Sequence, residues 1–292
     1  AISLRNGLEI LLITDSKAEV GAACLLVEVG SNSDPEEAPG IAHLSEIVTL
    51  NTADKRMTDN HFEDLLLEDG GSVTAFTGKE HTIFSFQTPT DKFKDRLDLF
   101  AKLFNKRAFT VSQIQKGITR LDTSHQLHTS SDNWRIFQVL CHYASADHPY
   151  HSFTNGNSIS LEFSSANSTR LASEVQAFFD IHYSSNRMKL VMYSDSTLEK
   201  MESNVLSSFG RLENHGGILP NFSKSPRPFV QEHMGKLILY TPISDMKRLS
   251  FFFPLEHSEA TSQDSAAEFV SFFLRSKAPG GLFSYLKARG SI

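Results

Sequence analysis

Gly40-Ile41-Ala42-His43-Leu44-Ser45-Glu46-Ile47-Val48-Thr49-Leu50 repeats apolar residues at helical spacing, with no breaker after its first glycine. It therefore reads as a helix over 41–50. The preceding Asp34-Pro35-Glu36-Glu37-Ala38-Pro39-Gly40 is a loop by its turn formers. Residues three and four apart on a helix lie one above another, so His43, Glu46 and Ile47 share a face.

Working outward, short apolar runs at 8–13 and 22–29 are bounded by Asn6-Gly7, Asp15-Ser16 and Gly30-Ser31-Asn32 and read as strands. A second helix is expected over 59–69, ended by Gly70-Gly71, followed by alternating strands at 72–77 and 81–88. Helices follow at 91–106, 111–129 and 168–182, then a strand at 188–193. Between them, Ser131 to Leu161 carries Trp134 and the turn signals Asp147-His148-Pro149 and Asn155-Gly156-Asn157. Strands interleaved with helices in this order give an α+β fold.

Asn214-His215-Gly216-Gly217 through Pro220, Pro226 and Pro228 lacks periodicity and reads as a linker. The expected organisation is a first domain over 1–212, a linker over 213–228 and the opening of a second unit over 229–292. That unit holds strand-like runs at 236–240 and 248–253 and a helix near 264–275. About 60 residues are few for a self-sufficient core, so it reads as incomplete.

Composition narrows the function classes. With 28 Lys and Arg against 34 Asp and Glu, the net charge of −6 argues against a nucleic-acid groove or an anionic membrane surface. No apolar window reaches the roughly 18 residues that a membrane span needs. The two cysteines, Cys24 and Cys141, make no disulfide framework, though a single bridge between them stays open. The chain starts at Ala1 rather than Met, which suggests processing or an expressed piece and leaves the compartment undetermined.

His43-Leu44-Ser45-Glu46-Ile47 is one residue short of the inverted zinc motif H-x-x-E-H, with Ile47 at the last position. Two histidines at i and i+4 on a helix can grip one zinc ion. A glutamate at i+3 can then deprotonate a zinc-bound water whose pKa the metal has lowered to about 7. Alone, one His and one Glu three apart are a weak signal, and a solvent-facing pair is the commoner explanation.

The surrounding residues sharpen it. Asn6-Gly7-Leu8, Val29-Gly30-Ser31, Gly40-Ile41-Ala42-His43, Ala75-Phe76-Thr77, Glu80-His81-Thr82, Asp132-Asn133-Trp134-Arg135, His148-Pro149, Gly156-Asn157, Tyr183-Ser184-Ser185-Asn186, Ala278-Pro279-Gly280-Gly281-Leu282 and Leu286-Lys287-Ala288-Arg289-Gly290 run in order along the chain. Together they resemble the insulinase and pitrilysin branch of the inverted-motif zinc peptidases, peptidase family M16. The resemblance implies a mostly antiparallel sheet flanked by helices, repeated in four related domains that form two bowl-like halves around a peptide chamber. It places this chain over the first domain and the start of the second, under half of such a molecule, so that further M16-like domains or a partner subunit are expected.

Carried over residue by residue, the resemblance makes His43 the first zinc ligand and Glu46 the base, with Ile47 where the second ligand belongs. The distal glutamate ligand falls at Ser124, and a supporting acidic residue on the same helix falls at Gly117. A structural zinc site is worth about 10–16 kcal/mol over four ligands, so losing two costs on the order of 6 kcal/mol. That corresponds to roughly 10⁴-fold in affinity. No zinc is expected in the chain as it stands, and Glu46 becomes a vestigial base. His125 and His128 could in principle build a replacement site with His43, although a pair three apart on a polar helix face is more often solvated.

Thr74-Ala75-Phe76-Thr77 resembles the family's edge strand, to which a substrate backbone adds as an extra strand. The family commonly has asparagine at the position of Thr74, and an ordinary edge strand would show the same alternation. Trp134 and the 23 phenylalanines need no cofactor, since such residues more often pack. The expectation is therefore an insulinase-like pseudopeptidase that binds peptides or supports a partner. Its rival is a zinc endopeptidase with unusual or externally supplied ligands.

Overall fold

The computed structural model describes residues 1–51, 61–105, 108–163, 168–216, 227–254 and 266–291. These form two compact units, Ala1–Lys247 and Arg248–Ile292. The starts of the helices expected at 59–69 and 264–275, the end of the one at 91–106 and most of the linker lie outside the described residues.

The first unit is built on six strands: β1 (Ile2–Ser3), β2 (Glu9–Thr14), β3 (Val20–Val27), β4 (Ser72–Thr77), β5 (Thr82–Pro89) and β6 (Met188–Ser194). Their order across the sheet is β1-β2-β6-β3-β5-β4, with β2 and β6 parallel and the other pairs antiparallel. Alternation along β3, β5 and β6 buries Ala23, Leu25, Val27, Phe84, Phe86, Met188, Leu190 and Met192 on one face. The helices α1 (Ile41–Leu50), α2 (His61–Glu68), α3 (Thr90–Leu103), α4 (Val111–Thr129), α5 (Asp132–Tyr143), α6 (Ser168–His182) and α7 (Leu198–Phe209) complete this unit. The apolar stripes of α1, α3, α4, α6 and α7 join the buried strand face in one core.

Phenylalanine supplies much of that core. Phe100 lies 4.9 Å from Phe86, 5.1 Å from Phe104 and 5.8 Å from Phe62, centroid to centroid. Edge-on and tilted rings at such distances stabilise beyond their buried area.

In the second unit the described helices are α8 (Ala266–Arg275) and α9 (Leu282–Ala288). Three expectations need correcting. The runs at 236–240 and 248–253 form no strand, because a strand exists through a ladder partner and neither run has one among the described residues. The strand expected at 22–29 ends at Val27, where Val29 N–H turns back to Val27 C=O at 2.8 Å. Helices α5, α7 and α9 are present where none was expected. Cys24 on β3 and Cys141 on α5 are both free.

Candidate functional site

Helix α1 is held at its start by protein atoms. Asp34 accepts from the backbone N–H of Gly40 at 2.7 Å and of Ala42 at 2.9 Å, satisfying two donors that the helix leaves open. Burial pushes the Asp34 carboxyl up to about 7, against the pull of these two N–H groups and of Lys79. Gly40 is left-handed at φ 102°, and a Cβ there would stand 2.2 Å from Gly156 Cα, so only glycine permits the two loops to touch.

His43 and Glu46 lie on α1 as expected. His43 is half-buried, and its Nδ1–H donates to the carbonyl of Asn155 at 2.7 Å. Burial lowers its pKa, opposed by that carbonyl, which favours the neutral ring with an Nε2 lone pair. Glu46 is 6% exposed and accepts from the Thr77 hydroxyl at 2.5 Å. Its carboxyl is pushed up to about 7 by burial, partly offset by Thr77. Ile47 packs against the core, and its Cγ2 would be 3.8 Å from a Cβ placed on Gly117 of α4.

Helix α4 starts with a capping box, Thr110 accepting from Gln113 N–H while Gln113 Oε1 accepts from Thr110 N–H. It runs close over α1 because Gly117 has no side chain. A Cβ there would meet Leu44 Cδ1 at 2.8 Å and Val48 Cγ2 at 3.0 Å. One turn beyond Leu121, Ser124 donates to Asn155 Oδ1 at 3.4 Å and His128 Nδ1–H donates to the same oxygen at 2.8 Å.

Asn155, buried, is thus the hub that joins α1 to α4. In the sequence it stands only within the turn signal Asn155-Gly156-Asn157, and its partners lie 112, 31 and 27 residues away. A local sequence reading had no signal for that hub beyond Asn before Gly. The histidines of α4 depart from a solvated face: His128 stacks on Trp134 at 5.0 Å and 7°, while His125 packs edge-on to Trp134 and Phe153. Among the described residues, no three or more His, Cys, Asp and Glu side chains are grouped to hold a metal ion.

Thr74, Ala75, Phe76 and Thr77 lie on β4, which ends the sheet and, among the described residues, pairs only with β5. Thr74 bonds Ser85 through their hydroxyls at 2.7 Å, and Phe76 is 62% exposed. Thr77 ties the strand to Glu46, so the open edge begins beside α1.

An α+β unit with this sheet and an His-x-x-Glu helix under its edge strand defines a class of protein. Residues 9–151 match the family described as Insulinase (Peptidase family M16), and residues 171–292 match the Peptidase M16 inactive domain. The chain belongs to the M16 family. It is 32% identical over 290 residues to insulin-degrading enzyme-like 2 of Arabidopsis thaliana, covering 99% of this chain and 30% of that protein. Human insulin-degrading enzyme is 29% identical, with 99% of this chain and 28% of the relative covered. The crystal structure of pitrilysin superposes with a TM-score of 0.75 at 21% identity, over 98% of this chain and 30% of that one, and so shares its fold. The chain therefore spans under a third of the length of these relatives. Among the described residues no helix is long and apolar enough to cross a membrane.

Proposed function

We propose that this chain is a non-catalytic M16 segment whose zinc site has been dismantled, and that it binds extended peptides or supports further M16-like domains or a partner subunit. In this reading residues 1–212 are the first domain, 213–228 the linker and 229–292 the start of a second. The observation that carries the proposal is the set of groups around His43. Ile47, on the ligand face of α1, has no donor atom and packs toward α4. Ser124, at the position matched to the distal ligand, is neutral and directed to Asn155.

These residues do not fit the family's zinc, which takes three protein donors at a catalytic site. His43 alone keeps a suitable form, its Nδ1–H on a carbonyl and its Nε2 free to bind. Glu46 keeps its place, held by Thr77, with no metal-activated water to deprotonate. Peptide binding rests on β4: its free edge can accept a further strand through main-chain hydrogen bonds, and exposed Phe76 offers an apolar contact.

Metal analysis and hydrolysis of a mixed peptide pool, with and without chelator, test the proposal. Expected are little zinc and no chelator-sensitive turnover; turnover abolished by Glu46→Gln would overturn it. Ile47→His with Ser124→Glu should raise zinc affinity by roughly 10⁴-fold. Phe76→Asp should weaken peptide binding while leaving stability within about 0.5 kcal/mol, because the ring is exposed. Equal binding by the variant would leave a purely supporting role.

A further inference from the structure

We infer that His142 and His151 form a two-histidine site for a divalent transition-metal ion, copper(II) by preference, independent of the His43 region. Their rings are adjacent, with centroids 5.5 Å apart and planes at 36°. A histidine nitrogen binds such an ion at about 2.1 Å, which puts each ring centroid roughly 3.2 Å from it. Two rings on one ion, at angles from 90° to 180°, then have centroids about 4.5 to 6.4 Å apart. The observed 5.5 Å falls within that range.

The tautomer is also set. His151 Nδ1–H donates to the Ala144 carbonyl at 3.0 Å, which leaves the Nε2 lone pair available. A carbonyl behind the ring is the arrangement that metal-binding histidines use to fix orientation and raise basicity. The ring of His142 is exposed, and among the described residues it has no hydrogen-bond partner. Imidazole donors suit copper, nickel and zinc, and copper(II) binds most tightly of the divalent series.

Both backbones are held in place. His142 lies in the last turn of α5 beside buried Cys141, whose carbonyl accepts from Ala144 N–H at 3.1 Å. His151 N–H bonds to His148 C=O at 2.9 Å, His148 N–H to Ser145 C=O at 3.0 Å, and Ser145 N–H to Pro228 C=O at 2.8 Å. Ligands on a fixed backbone lose little freedom on binding. With two protein donors, water completes the coordination, which makes this a binding site open to a further ligand.

The test is a titration of the full chain with copper(II) alone, followed by calorimetry and electron paramagnetic resonance. Wild type and His43→Ala should each take up one equivalent with a two-nitrogen signature. His142→Gln and His151→Gln should each weaken that binding by at least about tenfold. His151→Gln also removes the contact to Ala144, so His142→Gln, which breaks no internal bond, decides the matter if the other fails to fold. Wild-type binding in His142→Gln, or loss in His43→Ala alone, would overturn the inference.

Discussion

Replacing Gly117 by alanine places a methyl group between α4 and α1, with Leu44 Cδ1 at 2.8 Å and Val48 Cγ2 at 3.0 Å. Both contacts lie well inside ordinary carbon–carbon separation. Leu44 and Val48 are fully buried, so neither can withdraw into solvent. Helix propensity works the other way, Ala being favoured over Gly by about 1 kcal/mol in a helix interior. Overpacking a filled core costs about 1–3 kcal/mol. The net expectation is a loss of up to about 2 kcal/mol, or about 2–4 °C in Tm for each kcal/mol. Urea and thermal unfolding measure it. A double-mutant cycle with Leu44→Ala sharpens the result, since the new methyl should fill part of the space that truncation opens. The two losses should therefore add to less than their sum, by about 0.5 kcal/mol or more. Gly117→Ala as stable as wild type, with full additivity, would refute the close packing of α1 on α4.

Two further perturbations separate local effects. His182 accepts from Arg187 at 2.8 Å, and burial, with the guanidinium charge, lowers its pKa to about 4. The unfolded ring protonates near pH 6.5, so this stability is fully present above that value and is lost as the pH falls to 4. Solvent screening of the partly exposed ring limits the change to about 1–2 kcal/mol. His182→Gln should flatten the pH dependence of unfolding in that window, and an unchanged slope would rule the assignment out. Asp132 accepts from the N–H groups of Ile243 and Ser244, at 2.9 and 3.0 Å, and from the Tyr240 hydroxyl. Asp132→Ala should release residues 240–244 and speed chymotryptic cleavage after Tyr240, whereas an unaltered cleavage rate would mean the segment is held elsewhere.

Legibility in the sequence followed how far each element depends on distant partners. Helices α1 and α4 and strand β4 were readable because their own periodicity and turn formers define them. Helix α5 was not, since Cys141 is its only buried residue and its apolar pattern is diluted by half-buried aromatic and polar groups. Helix α7 did carry a readable signal, the Thr197 cap before buried Met201, Val205 and Phe209, and could have been found. The runs at 236–240 and 248–253 alternate like strands, but alternation does not provide a neighbour to pair with. At the site, His43 and Glu46 were readable from one helix. Asn155 was not, because its role lies in bonds to residues far along the chain. Asp34 was visible only as a loop former, although an acidic residue ahead of a helix is a known stabiliser of its start.

The seating of α1 on Asp34, and of Gly40 against Gly156, bears on how such a protein can change over time. Because the start of the helix is anchored by backbone and the Asp34 carboxylate, that end is held by groups other than Ile47 and Ser124. Changes at Ile47 would act through the core it packs against and changes at Ser124 through Asn155, while changes at Asp34, Gly40 or Gly156 would shift the whole helix. The anchor and the positions beside His43 can accordingly change separately, and one helix placement can carry more than one set of side chains there.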